Sequence, residues 1–478
     1  MAFELGPRSN GEYLPYPQTP VVRETVRRLL VHADETAPRL GMSRRHFLQT
    51  LCGAASTLVF LAACDKEEKQ STDKEPGGTF QVSTTATTDP GAAAEELSGT
   101  EFVFDVQTHL LDFDLSDDRA TSGTRFAQGY PYASCGEDDW RACFGIDHWL
   151  EELFVRSDTT MAVISAVPIL ATPNPLSIEV MQAAKEAVPR VCGDDGRVIL
   201  HGQVNPNVVE PAVFTDGMRR LAAEHEIGAW KVYTHVPDSQ GWWLDDHDAD
   251  AVQCGNAFLD AVREIGPKVV CVHKGFGGGS EYSSPLEIGA VAQANPDITF
   301  VVYHSGYDGR NEGAYDPENP NNGIDRLLKS VDDAGLEAGA NVYAELGSTW
   351  WSAMSDTTQA AHVLGKLLTR FGEDRVLWGT DSIWFGSPQD QIQAFRTFQI
   401  SAEFQDTYGY PELTDTIKQK VFGHNAAALY GVDPVPEKCT VNDAALEEYR
   451  AALAPKRSYG PGSYAEAVKV IAAHGMRY

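Results

Sequence analysis

Between residues 101 and 381 the chain alternates short β-branched and aromatic runs with amphipathic stretches. That alternation constrains the fold more than any other feature. Eight runs, 102–108, 160–168, 198–205, 227–235, 268–274, 299–305, 341–347 and 375–381, read as strands. Stretches such as SIEVMQAAKEAV, FTDGMRRLAAEH and TQAAHVLGKLLTRF lie between them with apolar residues at helical spacing. Strand–helix alternation builds parallel sheets. Eight such units predict an α/β fold, a (β/α)8 TIM barrel. A doubly wound open sheet would want a glycine-rich phosphate turn after the first strand, and DVQTHLLD has none.

Chemistry gathers at the ends of those runs. Gln107, His109, Lys231, His273, His304, Glu345 and Asp381 stand at or near the C-terminal end of a strand candidate. In a parallel barrel these ends converge on the face that carries catalysis. Three imidazoles and a carboxylate brought together there make a nest for one divalent metal ion. Lys231 shares a strand face with Tyr233 and His235. It is a candidate anchor for a substrate carboxylate, or a rim lysine paired with Glu345. Seven of the nine tryptophans, Trp350 and Trp384 among them, follow strand ends. They are candidates to line a substrate pocket, or else apolar ballast for long loops. The loop 110–159 is long enough to act as a lid, and GFGGGS lacks the Lys-Ser/Thr of a nucleotide loop.

A formal net charge of −30 argues against nucleic acid as a partner and against adsorption of the folded body to anionic lipid, and self-repulsion for solubility accounts for the acidity. Eight cysteines include no CxxC pair. Cys271 reads as a core residue, and Cys135 and Cys143 bracket a loop that an oxidising compartment would let them staple.

The first hundred residues read differently. SRRHFLQTLCGAASTLVFLAAC, residues 43–64, resembles a bacterial twin-arginine export signal ending in a lipobox. That resemblance implies the twin-arginine export machinery as a partner and lipidation at Cys64. It also implies a lipid anchor to the cell envelope on the periplasmic side of a membrane. The apolar stretch 51–63 is short for a membrane span. Either Met1 or Met42 could begin the chain. The expected organisation is a signal with an N-terminal extension over 1–63 and a flexible tether over 64–100. A barrel over 101–435 and a helical tail over 436–478 follow.

DVQTH on the first strand, His273 on the fifth, YHSG with His304 on the sixth, GTDS with Asp381 on the eighth and the closing VFGHNAAALYGV resemble the amidohydrolase superfamily. The closing segment is similar to the amidohydrolase-related branch that includes aminocarboxymuconate-semialdehyde decarboxylase. The resemblance implies a metal-dependent hydrolase on a TIM barrel, with one divalent ion, zinc by preference. It implies His109, His273 and Asp381 as metal ligands, with Asp381 also taking a proton from water and His304 polarising the substrate or moving a proton. Gln107 stands where the family places the first histidine of an HxH pair, and its amide oxygen is a weaker ligand. From its place on the seventh strand, Glu345 is a substrate-site candidate that would orient a ligand, or else it simply pairs with Lys231. The branch often forms homodimers. Two rivals stay open: a decarboxylase or hydratase on the same scaffold, and a catalytically silent binding lipoprotein.

Overall fold

The computed structural model describes residues 3–113 apart from 4, 7, 11 and 14, then residues 135, 137, 139–168, 174–235, 240–277, 279–309, 312–320, 323–435 and 437–452. Part of the expected lid, 114–134, and the tail beyond 452 lie outside the described residues.

Ten strands are described. A short outlier, β1 (Gly78–Phe80), is followed by β2 (Phe104–Thr108), β3 (Met161–Ile164), β4 (Val198–Gln203) and β5 (Ile227–Tyr233). Then come β6 (Val269–His273), β7 (Thr299–Tyr303), β8 (Val342–Glu345), β9 (Val376–Leu377) and β10 (Phe398–Ile400). Strands β2 to β9 form one eight-stranded parallel sheet in sequence order. The ends of that sheet meet. Val106 N–H donates to Trp378 O at 3.0 Å, and Asp381 N–H donates to Gln107 O at 2.9 Å. Thr108 bridges Ser382 in parallel. The result is the eight-stranded TIM barrel that the alternation predicts.

Helices such as Ile178–Cys192, Pro211–Glu224, Gly255–Ile265 and Thr357–Phe371 cover the barrel's outside. Local chemistry sets their ends. Asp356 caps the last of these, accepting from Thr358 N–H and Gln359 N–H at 3.0 Å each. Gly193, at φ +79°, ends the first in the left-handed conformation that suits glycine. Strand residues are buried on both faces, as in Val270, Cys271, Val272, Val301 and Val302, which is why the runs read as continuously apolar.

The N-terminal hundred residues depart from expectation. Helix α1 (Pro20–Arg39) packs on α3 (Leu51–Ser71), with the short α2 (Arg44–Phe47) between them. The apolar run of the export-like motif is helical, with Ala54, Ala55, Leu58 and Leu61 fully buried. Burying Leu58 and Leu61 contributes roughly 1.5–3 kcal/mol each. Helix α3 runs on through Cys64, which is buried, while Arg44 and Arg45 lie exposed. No described helix is long and apolar enough to cross a membrane.

The expected tether over 64–100 is instead folded. Strand β1 pairs antiparallel with β10, and α4 (Pro90–Leu97) buries Ala93 and Leu97. Composition misled here, because few apolar side chains suffice when each lands in a prepared groove. At the other end, Cys439 is bonded to Cys192 at 2.06 Å. A helix at Asp443–Ala452 packs Leu446 among the barrel's apolar side chains. The expected Cys135–Cys143 bond is formed at 2.09 Å.

Candidate active site

The C-terminal ends of the strands carry the polar residues, and left-handed backbone turns aim them inward. Five of the seven non-glycine residues with positive φ, Phe276, His304, Ser305, Ser348 and Asp381, lie just after barrel strands. Such conformations cost about 1–3 kcal/mol each and cluster at functional sites.

Asp381 is the most heavily restrained group. Its Oδ1 receives hydrogen bonds from Gln107 Nε2 at 3.0 Å and Trp384 Nε1 at 3.1 Å, and faces His109 Nε2 at 3.1 Å. Its Oδ2 receives Ser348 Oγ at 2.5 Å and Asn10 Nδ2 at 3.1 Å. Burial works to raise its pKa. The bonds from His109 and Ser348 and the nearby imidazole charges outweigh burial and hold the carboxyl below its ordinary range.

The histidine tautomers follow from their fixed partners. His109 Nδ1 lies 2.6 Å from Ser165 O, and His304 Nδ1 lies 2.7 Å from Gly347 O. A carbonyl only accepts, so Nδ1 carries a proton in both rings and Nε2 is the atom each presents to the mouth. Metal-binding imidazoles are commonly held this way. His304 Nε2 meets His273 Nδ1 at 3.2 Å. That contact leaves His273 Nε2 buried without a hydrogen bond, 3.3 Å from Glu12 Oε1. Burial lowers the His304 pKa to about 4 and drives that of His273 well down.

Gln107 reaches the centre of the site. Its Nε2 also lies 3.4 Å from both His109 Nε2 and His304 Nε2, while its Oε1 has no hydrogen-bond partner. Lys231 is wholly buried and its ammonium makes no hydrogen bond. It rests 3.6 Å above the Tyr303 ring and 4.5 Å from that of Tyr233. Desolvation brings its pKa down to about 8 against the pull of Cys271 and the surrounding carboxylates.

Two expectations change. Glu345 makes no hydrogen bond to Lys231. Its carboxylate accepts from His304 N–H at 2.9 Å and Gly347 N–H at 2.5 Å, so it holds the turn that carries His304. Burial raises its pKa to about 8. Trp350 is core: its indole donates to Gln391 O at 2.9 Å and its ring packs edge-on against Phe395 and Phe398. The helix starting at Thr349 turns it away from the mouth. Beside His109 and Asp381, Glu12, His273 and His304 form a compact group with ligand atoms within 4.8 Å of one another.

Trp384, a candidate to line the pocket, stacks on His109 with ring centres 5.6 Å apart. It continues through Phe144 to Trp140 as an aromatic wall. Asn10, Glu12 and Ser348 were not legible beforehand. SNGEY carries no periodicity, and Ser348 announces itself only by the left-handed turn it occupies.

A parallel barrel with imidazoles and an ionised aspartate at its C-terminal mouth is the architecture of metal-dependent barrel enzymes. The family model described as Amidohydrolase matches residues 104–432, and the chain belongs to that family. A search of curated proteins found no match. Among solved structures, an uncharacterized TIM-barrel protein from Bordetella bronchiseptica is 14% identical, covering 69% of this chain and 99% of its own, with a TM-score of 0.47. A 5-carboxyvanillate decarboxylase from Sphingomonas paucimobilis is 13% identical over 69% and 99% of the two chains, TM-score 0.38. An amidohydrolase from Burkholderia multivorans with bound zinc is 13% identical over 70% and 100%, TM-score 0.41.

Proposed function

We propose that this protein is an exported, membrane-tethered, metal-dependent hydrolase acting on a small organic substrate. The observation that carries the catalytic half is the convergence of His109, His273 and His304 with ionised Asp381 at the barrel mouth. The donor set fits a divalent cation, zinc by preference. Imidazole nitrogens and a carboxylate are the donors such an ion takes, and His273 Nε2 is buried there without a hydrogen bond. His109, His273 and Asp381 would hold it, with Gln107 as a weak further donor. What the ion supplies when bound is Lewis acidity and a lowered pKa for water.

The chain's own groups do the rest. Asp381, held ionised by its donors, accepts a proton at Oδ1 or Oδ2. His304, neutral and fixed by Gly347 O, accepts or returns a proton at Nε2. Glu345 keeps that ring in register. Trp384 and Phe144 keep water from the His109 side.

A second reading, decarboxylation of an acid, is favoured by Lys231, a buried cation without a hydrogen bond beneath the mouth. An incoming carboxylate would complete it. Metal analysis of protein purified from its native host, followed by a screen of esters, lactones and unsaturated acids with carbon dioxide detection, separates the readings. Turnover without gas supports hydrolysis, and gas release supports the lyase. A protein that neither holds nor responds to zinc, manganese or iron refutes both.

The export half rests on SRRHFL and LAAC. Replacing Arg44 and Arg45 together by lysine should trap precursor in the cytoplasm, and Cys64→Ala should free the body from membranes. Normal membrane attachment of both variants would refute it. Co-elution with a second copy on size exclusion tests the homodimer.

A further inference from the structure

The most unusual occupant of the mouth comes from the chain's own N-terminus. Asn10 and Glu12 sit among the catalytic candidates although about 260 to 370 residues separate them in sequence. Asn10 is 3% exposed and bonds Asp381 Oδ2.

Three local contacts pose Glu12. Asn10 Nδ2 donates to Glu12 Oε2 at 2.8 Å, Glu12 N–H returns to Asn10 Oδ1 at 3.0 Å, and Ser9 Oγ donates to Tyr13 O at 2.5 Å. Tyr13 then stacks on Phe276 with ring centres 5.0 Å apart, fixing the segment to the loop after β6. The posed carboxylate turns Oε1 toward His273 Nε2 at 3.3 Å. That nitrogen is the buried, unpartnered atom of a ring that is 1% exposed.

We infer that Glu12 is a further metal ligand, adding beside Asp381 a second carboxyl to the ion that His273 holds, with His304 alongside. The inference rests on the metal-dependent reading above and adds a ligand that lies outside the barrel. Gln107 contributes only a neutral amide at the centre, whereas Glu12 brings a carboxyl that burial and nearby Asp381 hold toward its neutral form until a cation takes the proton's place. With His273 Nδ1 directed to His304 Nε2, His273 Nε2 faces that carboxyl. A divalent cation between them would take both as ligands. Asn10 is a positioning residue: it holds Glu12 at one end and Asp381 at the other, so the segment is tied to both halves of the site.

The test uses the full-length chain stripped of metal and titrated with Zn2+ and with Co2+, following heat of binding and the visible Co2+ spectrum. Glu12→Gln should raise the dissociation constant about tenfold or more and change the Co2+ bands. Asn10→Ala should do the same more weakly, and a chain lacking residues 1–17 should match Glu12→Gln. If Glu12→Gln and the shortened chain bind as tightly as the parent with an unchanged spectrum, the inference is overturned while the metal-dependent reading stands. If the parent itself binds neither ion, both fall. His273→Asn, checked for folding by circular dichroism, should also weaken binding; intact affinity there places the ion elsewhere and overturns the inference.

Discussion

Lys231→Met should make the protein more stable and nearly inactive at the same time. In the folded chain the ammonium is fully buried, and its pKa falls from 10.5 to about 8, chiefly through desolvation. Near pH 7 the lysine is charged in both states, and keeping it charged inside costs about 3 kcal/mol, at about 1.4 kcal/mol per pKa unit. The Tyr303 and Tyr233 rings return about 1–2 kcal/mol of that. The net gain for Met, which is similar in length and apolar, is about 2 kcal/mol. A depressed lysine pKa means the unfolded chain binds more protons between pH 8 and 10.5, so wild-type stability rises through that window. The advantage of the variant should therefore close above pH 8. Urea denaturation of metal-free wild type and variant at pH 7 and pH 10 measures this. The same variant should lose about 10- to 100-fold in kcat/KM on an acidic substrate, the worth of one charge-assisted contact. A variant that is less stable at pH 7, or one whose advantage persists unchanged to pH 10, refutes the reasoning.

Asp65→Asn should stabilise by about 2 kcal/mol at pH 7. Burial lifts that carboxyl to about 6 despite its bond from Thr357, so the folded state holds the extra proton between about pH 4 and 6 and stability falls as pH rises there. The gain should vanish below pH 4 in thermal melts. A Cβ on Gly379 would overlap Glu345 Oε1, so Gly379→Ala should displace the clamp on His304. Activity should collapse, with a stability loss of about 1–3 kcal/mol by denaturant titration. The two disulfides close loops of very different length, with sequence separations of 247 and 8. Chain-entropy reasoning gives about 5 kcal/mol for Cys192–Cys439 and about 2.5 kcal/mol for Cys135–Cys143. In oxidised protein, Cys192→Ser should therefore lower the unfolding midpoint more than Cys143→Ser.

The barrel was legible because each of its strands carries its own signal. A run such as KVVCVHKG is apolar on both faces and then turns polar, and no other part of the chain must be known to read it. The eighth strand shows the limit. Residues 375–381 read as one run, yet only Val376–Leu377 is regular strand, because Asp381 has already turned to φ +60°. The site was legible where residues sit at strand ends, as with His109, His273, His304 and Asp381. It was illegible where function depends on which way a loop turns. Glu345 and Trp350 lie five residues apart, and Ser348 at φ +55° between them sends one to a backbone clamp and the other into the core. Cys192–Cys439 was hidden because spacing does not fix connectivity. Asn10 and Glu12 were hidden because nothing local in SNGEY requires a barrel to be nearby.

The N-terminal hundred residues hold the two proposals together. Helix α3 carries the lipobox-like LAAC but runs unbroken past Cys64, and Asp65 on its buried face bonds Thr357 beside the barrel. The twin arginines, by contrast, stay at the surface, with Arg44 resting only on Asp34 at 3.2 Å. If the proposed export holds, a folded precursor would present its twin arginines while Cys64 stays packed away. Cleavage ahead of Cys64 would require α3 to open locally, and it would remove α1, α2 and the segment carrying Asn10 and Glu12 in one step. Asp381 would lose the Asn10 donor and His273 would lose its facing carboxylate. On the export reading, processing would also take Glu12 away from the ion, so Glu12→Gln would alter metal affinity only in the uncleaved chain.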